Sequence, residues 1–123
     1  MTGRRGPVIM ELLQRVVLGD VMSIVRVTVR TFQNAEHATL FLGLSNGIEG
    51  FLKERGIKAD CRIARSQEKA HEIISVWIYD DEAHMDEVRK VLSELSKFPN
   101  SLNPKEVAYQ ADVVTTIRVG VTG

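Results

Sequence analysis

The stretch SIVRVTVRTF, residues 23–32, decides the fold. It alternates with a period of two. Val25, Val27 and Val29 point one way, while Ile24, Arg26, Thr28 and Arg30 point the other. Such alternation belongs to a strand with one face packed on a core. The aliphatic valine face is therefore expected beneath the helices, and the arginine-bearing face is expected to be open. On the C-terminal side Asn34 suits a helix N-cap. Ala38, Phe41, Leu42, Ser45, Ile48 and Leu52 then recur at helical spacing. Gly43, Gly47 and Gly50 leave room for close helix-on-sheet packing or mark a kink. Gly56 reads as the helix stop.

Further along, IKADCRIAR (residues 57–65) alternates again, with Ala59, Cys61 and Ile63 on the core side. Ser66, Gln67, Glu68 and Lys69 form a hairpin loop. IISVWIY (residues 73–79) is a third strand, with Ile74, Val76 and Ile78 on one face and Ser75, Trp77 and Tyr79 on the other. Asp81 caps a second helix whose apolar stripe is Met85, Val88, Val91, Leu92 and Leu95, and acidic residues at its start suit the helix dipole. Asn103-Pro104-Lys105-Glu106 predicts a short helix to about Gln110, and VVTTIRV (residues 113–119) predicts the last strand. The order β-α-β-β-α-β, with two right-handed crossovers around a hairpin, gives an α+β, ferredoxin-like sandwich. Its four-stranded antiparallel sheet has the order 4-1-3-2, with both helices on one face. Upstream, Pro7 opens an amphipathic helix to about residue 18, so residues 1–21 read as an extension and residues 22–123 as the domain.

Composition narrows the function. The 123 residues suit one domain, and 44% hydrophobic content supports a packed core. Lys+Arg and Asp+Glu number 16 each, so no global basic excess points to nucleic acid. A single cysteine excludes an internal disulfide and a multi-cysteine metal site, and it fits a reducing, cytoplasmic setting. No apolar run approaches the ~18 residues of a membrane span. His37, His71 and His84 have no metal-pair spacing, and no phosphate loop or nucleophile elbow occurs, so neither a metal nor a cofactor is expected.

The candidate site is the sheet face opposite the valines: Arg26, Thr28, Arg30, Arg62, Trp77, Tyr79 and Arg118. This face is either roofed by the N-terminal segment, residues 7–19, or free for one of three purposes that aromatic residues among arginines on central strands serve. They can form the interface of a homodimer or higher homo-oligomer. They can stack the bases of single-stranded RNA. They can also hold an anionic ligand. The leading expectation is a non-catalytic interaction or regulatory domain that self-associates through this face. A small dimeric enzyme of monooxygenase or isomerase type is a further alternative, with His71, Tyr79 and Tyr109 as candidate groups.

The stretch VWIYDDEAHMDEVRKVLSELSKFPNSLNP (residues 76–104) resembles the cytoplasmic domain that precedes the membrane core of rhomboid proteases. The resemblance rests on Val76-Trp77, the acidic turn Asp80-Asp81-Glu82, the following helix and Asn103-Pro104. FLKERGI (residues 51–57) resembles that domain's first helix running into its second strand. It implies a non-catalytic domain, with no protease residue carried over to this chain.

Overall fold

A computed structural model describes residues 23–95 and 102–120. The expected helix over residues 7–18 lies outside the described residues, and the second expected helix, whose stripe reaches Leu95, ends earlier, at Leu92. Seven elements follow in order: β1 (Ile24–Thr31), α1 (Ala35–Ser45), α2 (Ile48–Glu54), β2 (Asp60–Arg65), β3 (Glu72–Tyr79), α3 (Glu82–Leu92) and β4 (Lys105–Asp112). The sheet runs β2-β3-β1-β4, all antiparallel, which is the expected order 4-1-3-2 read from the other edge. The ferredoxin-like sandwich stands.

Local chemistry sets the element ends. The Asn34 side chain accepts from the His37 N–H at 2.8 Å, and Asp81 accepts from the His84 N–H at 2.8 Å, so both expected caps form. The long first helix is broken at Asn46-Gly47 into α1 and α2. A Cβ placed on Gly43, Gly47 or Gly50 would meet nothing within 4 Å, so these glycines mark a kink and not a close approach. Gly56, at φ +68°, ends α2 in the left-handed region. Its N–H donates to Lys53 O at 3.0 Å and the Ile57 N–H donates to Leu52 O at 3.0 Å, the paired pattern of a glycine-terminated helix.

Two expectations at the C-terminal end are corrected. Where a short helix is expected from Asn103-Pro104 to about Gln110, residues 105–112 form β4, and residues 113–119, expected as the last strand, lie beyond it. The helix expectation came from a capping pattern over four residues. KEVAYQAD instead pairs with β1 along its whole length, from Thr31 opposite Lys105 to Ile24 opposite Asp112. Eight residues of ladder outweigh one cap.

The larger correction concerns the faces. Residues opposite one another in an antiparallel pair share a face. Ile24 faces Tyr79, Arg26 faces Trp77, Thr28 faces Ser75 and Arg30 faces Ile73. This is the face that the helices cover. Ile24 and Tyr79 are buried with Met85 and Val88 of α3, while Ile73 is buried with Phe32, Ala38 and Phe41 of the α1 side and with Leu102. Val25, Val27, Val29, Ile74, Val76 and Ile78 lie on the other face, half-buried. The sequence alternation was right in period and inverted in phase on β1 and β3. On β2 the phase was right, since Cys61 lies opposite Trp77 under the helices.

Candidate ligand cavity and open sheet face

The covered face is built unlike an ordinary core. Its two apolar clusters lie at opposite ends of β1 and β3. Between them the central strands place Thr28 and Ser75, only 6% and 2% exposed, flanked by Arg26 and Arg30. Buried polar groups are the informative exception in a core. The flanking, half-buried arginines are held by partners across the sheet: Arg26 Nη1 donates to Gln110 Oε1 at 3.0 Å, and Arg30 Nε donates to Glu106 Oε2 at 2.7 Å. Arg30 Nη1 also donates to Ser75 Oγ at 3.0 Å, and its guanidinium lies 5.2 Å from the Phe41 ring centroid.

A cavity of ≈ 210 Å³ opens above this polar floor, lined by Arg30, Ser75 and Trp77 from the sheet and by Phe41, Leu44, Ile48, Leu92 and Leu95 from the helical side, with Ile63 of β2. Ile48, Ile63 and Trp77 also line an adjoining cleft of ≈ 570 Å³ between α2 and β2, whose wall includes Cys61. Trp77 stacks on Tyr79 with ring centroids 6.0 Å apart and planes within 5°, which fixes the indole's orientation. Burial pushes the Cys61 thiol up to about 11, reinforced by Asp60 and offset by Arg30 and Arg62, so the thiol is protonated at neutral pH and weakly nucleophilic. Burial likewise raises Tyr79, with Arg89 and Arg26 opposing.

Of the seven candidate residues, Arg26, Thr28, Arg30, Trp77 and Tyr79 share one face, but beneath helices and not on an open surface. Arg62 lies on the opposite face, opposite Val76, with its Nη1 2.7 Å from Asp60 Oδ1. Arg118 lies beyond β4, in a polar cleft with Lys58, Asp60 and Asp80. There Lys58 and Asp80 pair at 2.7 Å; their hydrogen bond raises the Lys58 pKa and lowers that of Asp80. Within the same region His84 Nδ1 accepts from the Asp80 N–H at 2.9 Å, so its Nε2–H donates to Lys58 O at 2.7 Å. His71, Tyr79 and Tyr109 do not converge: His71 precedes β3, Tyr79 ends it, and Tyr109, opposite Val27, is 66% exposed on the other face. Sequence reasoning missed Ser75 as a site residue, and missed Glu106 and Gln110 altogether. The signal was present. Arg26 and Arg30 are spaced by four, as are Glu106 and Gln110, and one antiparallel register satisfies both pairs.

The open face is aliphatic across its centre. Val25, Val27 and Val29 lie beside Ile74, Val76 and Ile78, continued on the edge strand by Val107 (52% exposed) and Tyr109. The charged residues Asp60 and Arg62 sit at its β2 margin. Among the described residues no group of three His, Cys, Asp or Glu is placed to hold a metal ion, and no helix is long and apolar enough to cross a membrane.

No protein-family model and no curated protein matches the chain. Solved structures do. A dimeric ferredoxin-like protein from an uncultured marine organism superposes with TM-score 0.65 at 15% identity, over 80% of this chain and 94% of the other. A second dimeric ferredoxin-like protein from an uncultured marine organism gives 0.59 at 16%, over 78% and 99%. SnoaB, a cofactor-independent oxygenase from Streptomyces nogalater, gives 0.53 at 10%, over 79% and 98%. At these identities the likeness shows the fold.

Proposed function

We propose that the chain acts as a homodimer whose two sheets pack face to face, and that each protomer binds a small organic molecule between its sheet and helices. The observation that carries this is the exchange of faces: aliphatic residues outside, polar residues within. Soluble monomers rarely leave a contiguous apolar face in water. Two such sheets stack about 10 Å apart with their side chains interdigitated. The marine neighbours described as dimeric support this use of the fold. Self-association through a sheet face, expected from the sequence, thus moves to the valine side. Conversely, an apolar chamber with a few convergent polar groups is the general form of a small-molecule site.

Binding or regulation fits the lining better than acid–base catalysis. Arg30 is the one titratable side chain among the described residues that line the smaller cavity, and the Cys61 thiol beside it stays protonated. The rhomboid-domain resemblance, which implies a non-catalytic domain, agrees with this. A second proposal is favoured by the cavity together with the likeness to SnoaB. A cofactor-independent oxygenase needs an electron-rich substrate that itself reduces dioxygen, and oxygen uptake would report it. RNA binding loses its premise, because Trp77 and Tyr79 lie beneath the helices. A lone protonated thiol suits a reducing, cytoplasmic setting.

Sedimentation velocity tests the dimer. The wild type should sediment at twice the 13.8 kDa protomer mass. Val76→Asp, at the centre of the open face, should sediment as a protomer with an unchanged far-UV circular dichroism spectrum. A wild type at protomer mass at tens of micromolar overturns the proposal.

A further inference from the structure

We propose that the helix–sheet cavity selects a planar, apolar molecule bearing a single negative charge, such as an aromatic carboxylate, and that Glu106 is the partner this anion displaces from Arg30. The inference rests on the cavity being a ligand site. Its starting point is a cation in an unusual place. Arg30 lies on a central strand under the helices with 22% of its side chain exposed, where a charge needs compensation. Ser75 Oγ and the Phe41 ring supply part of it. Among the described residues, the opposite charge paired with it is Glu106, which sits on the edge strand with its side chain 52% exposed. A solvent-screened carboxylate is a weak partner. An anion inside the apolar chamber is a stronger one, because the interaction is less screened there.

The donors converge. A guanidinium has five N–H groups; Glu106 and Ser75 occupy two, which leaves three. Ser75 Oγ accepts from Arg30, so its own hydroxyl proton can be donated to a ligand oxygen. Both residues line the same ≈ 210 Å³ space, whose remaining walls are aromatic and aliphatic. This set matches one oxygen anion on an apolar body. A phosphomonoester dianion is a poor match, since Arg30 is the one cation among the described residues that line the cavity, and Arg26 is engaged by Gln110. The volume lies below the roughly 300–1,000 Å³ of drug-sized sites, so one or two fused rings fit. The indole of Trp77 offers such rings a flat wall.

The test uses the full chain and two isosteric probes, 1-naphthoate and 1-naphthamide, by titration calorimetry at pH 7.5. The indole N–H resonance of Trp77, the chain's one tryptophan, locates the binding. Naphthoate should bind about ten- to a hundredfold more tightly than the amide, the range expected for a charge-assisted hydrogen bond. Arg30→Met should abolish that preference and leave amide binding unchanged. Glu106→Gln should tighten naphthoate by about one-and-a-half to fivefold, the release of one exposed ion pair, with the amide unaffected. A merely structural Glu106 would not give tighter binding. Equal affinities for the two probes overturn the anion inference while the cavity remains a ligand site. Absence of heat and of any Trp77 shift with either probe overturns both. Weaker naphthoate binding in Glu106→Gln overturns the competition. If Arg30→Met fails to fold, the comparison of probes and the edge-strand variant still decide.

Discussion

Ile73 and Ile74 are neighbours on β3 that point to opposite faces, and truncating each to alanine separates the two sides of the sheet. Ile73 is 0% exposed, packed with Phe32, Ala38, Phe41 and Leu102. Ile→Ala removes three carbon groups at ~0.8 kcal/mol each, about 2.4 kcal/mol of transfer energy, and leaves a cavity that helix α1 cannot readily fill. A total of about 3–4 kcal/mol is expected, which lowers the unfolding midpoint by about 12–16 °C at ~4 °C per kcal/mol. Ile74 is half-buried and lies opposite Val29 and Ala64 on the open face. Its truncation in a protomer costs about 1 kcal/mol, since no enclosed cavity forms. In a dimer the loss grows with concentration, because the missing atoms lie at the interface. The assay is thermal unfolding by circular dichroism over a hundredfold range of protein concentration, with sedimentation on the same samples. Ile73→Ala should shift the midpoint equally at every concentration. Ile74→Ala should shift it little in dilute samples, more in concentrated ones, and should reduce the dimer fraction. If Ile74→Ala costs as much as Ile73→Ala in dilute solution and leaves the mass unchanged, the faces are the reverse of those described.

The Cys61 thiol, raised from 9.0 to about 11, favours the protonated form in the folded state. Its stabilisation is complete below about pH 9 and disappears as the pH climbs through about 11. The urea midpoint should therefore fall between pH 8 and 10.5 by a smaller amount in Cys61→Ala than in the wild type; Tyr79, raised in the same sense, adds to the fall in both. Asn34→Ala and Asp81→Ala each remove a cap and should cost about 0.5–2 kcal/mol in denaturant titrations. Cap losses near zero would mean that the helix starts are fixed by tertiary packing alone.

The architecture was legible because β1, β3 and both caps obey local rules: a period of two, a side-chain oxygen before α1 and before α3, a glycine after α2. Those signals depend on neighbours within a few residues. Phase is different. Val25, Val27 and Val29 form the more apolar face of β1, and a chain that folds alone should bury that face under its helices. Hydrophobicity specifies that a face is covered without specifying what covers it, and period-two alternation gives the two faces equal standing. Cys61 carried the correct phase on β2, but only pairing across to Trp77 transfers it to β3. The β4 error has the same origin. Asn103-Pro104 is a strong local cap signal, whereas the complementarity of Arg26 and Arg30 with Gln110 and Glu106 appears only across a separation of some eighty residues. Arg26, Arg30 and Trp77 therefore share one face, as the alternation predicts, but in surroundings other than the expected ones.

The inverted phase has an energetic consequence. With Thr28, Ser75, Arg26 and Arg30 in its middle, the covered face carries two separate apolar clusters among the described residues. Both dimerisation and cavity occupancy should add to the protomer's stability by mass action. A ligand at a hundred times its dissociation constant contributes about 2.7 kcal/mol, or about 10 °C. Thermal-shift screening of aromatic acids is thus a sensitive way to find the natural ligand. The comparison with Val76→Asp makes the argument sharper. Val76 and the cavity are on opposite sides of one strand, so a protomeric variant should keep the full ligand shift if the two sides act independently. If the shift vanishes with the dimer, the sheet transmits one state to the other, and the cavity is completed by association.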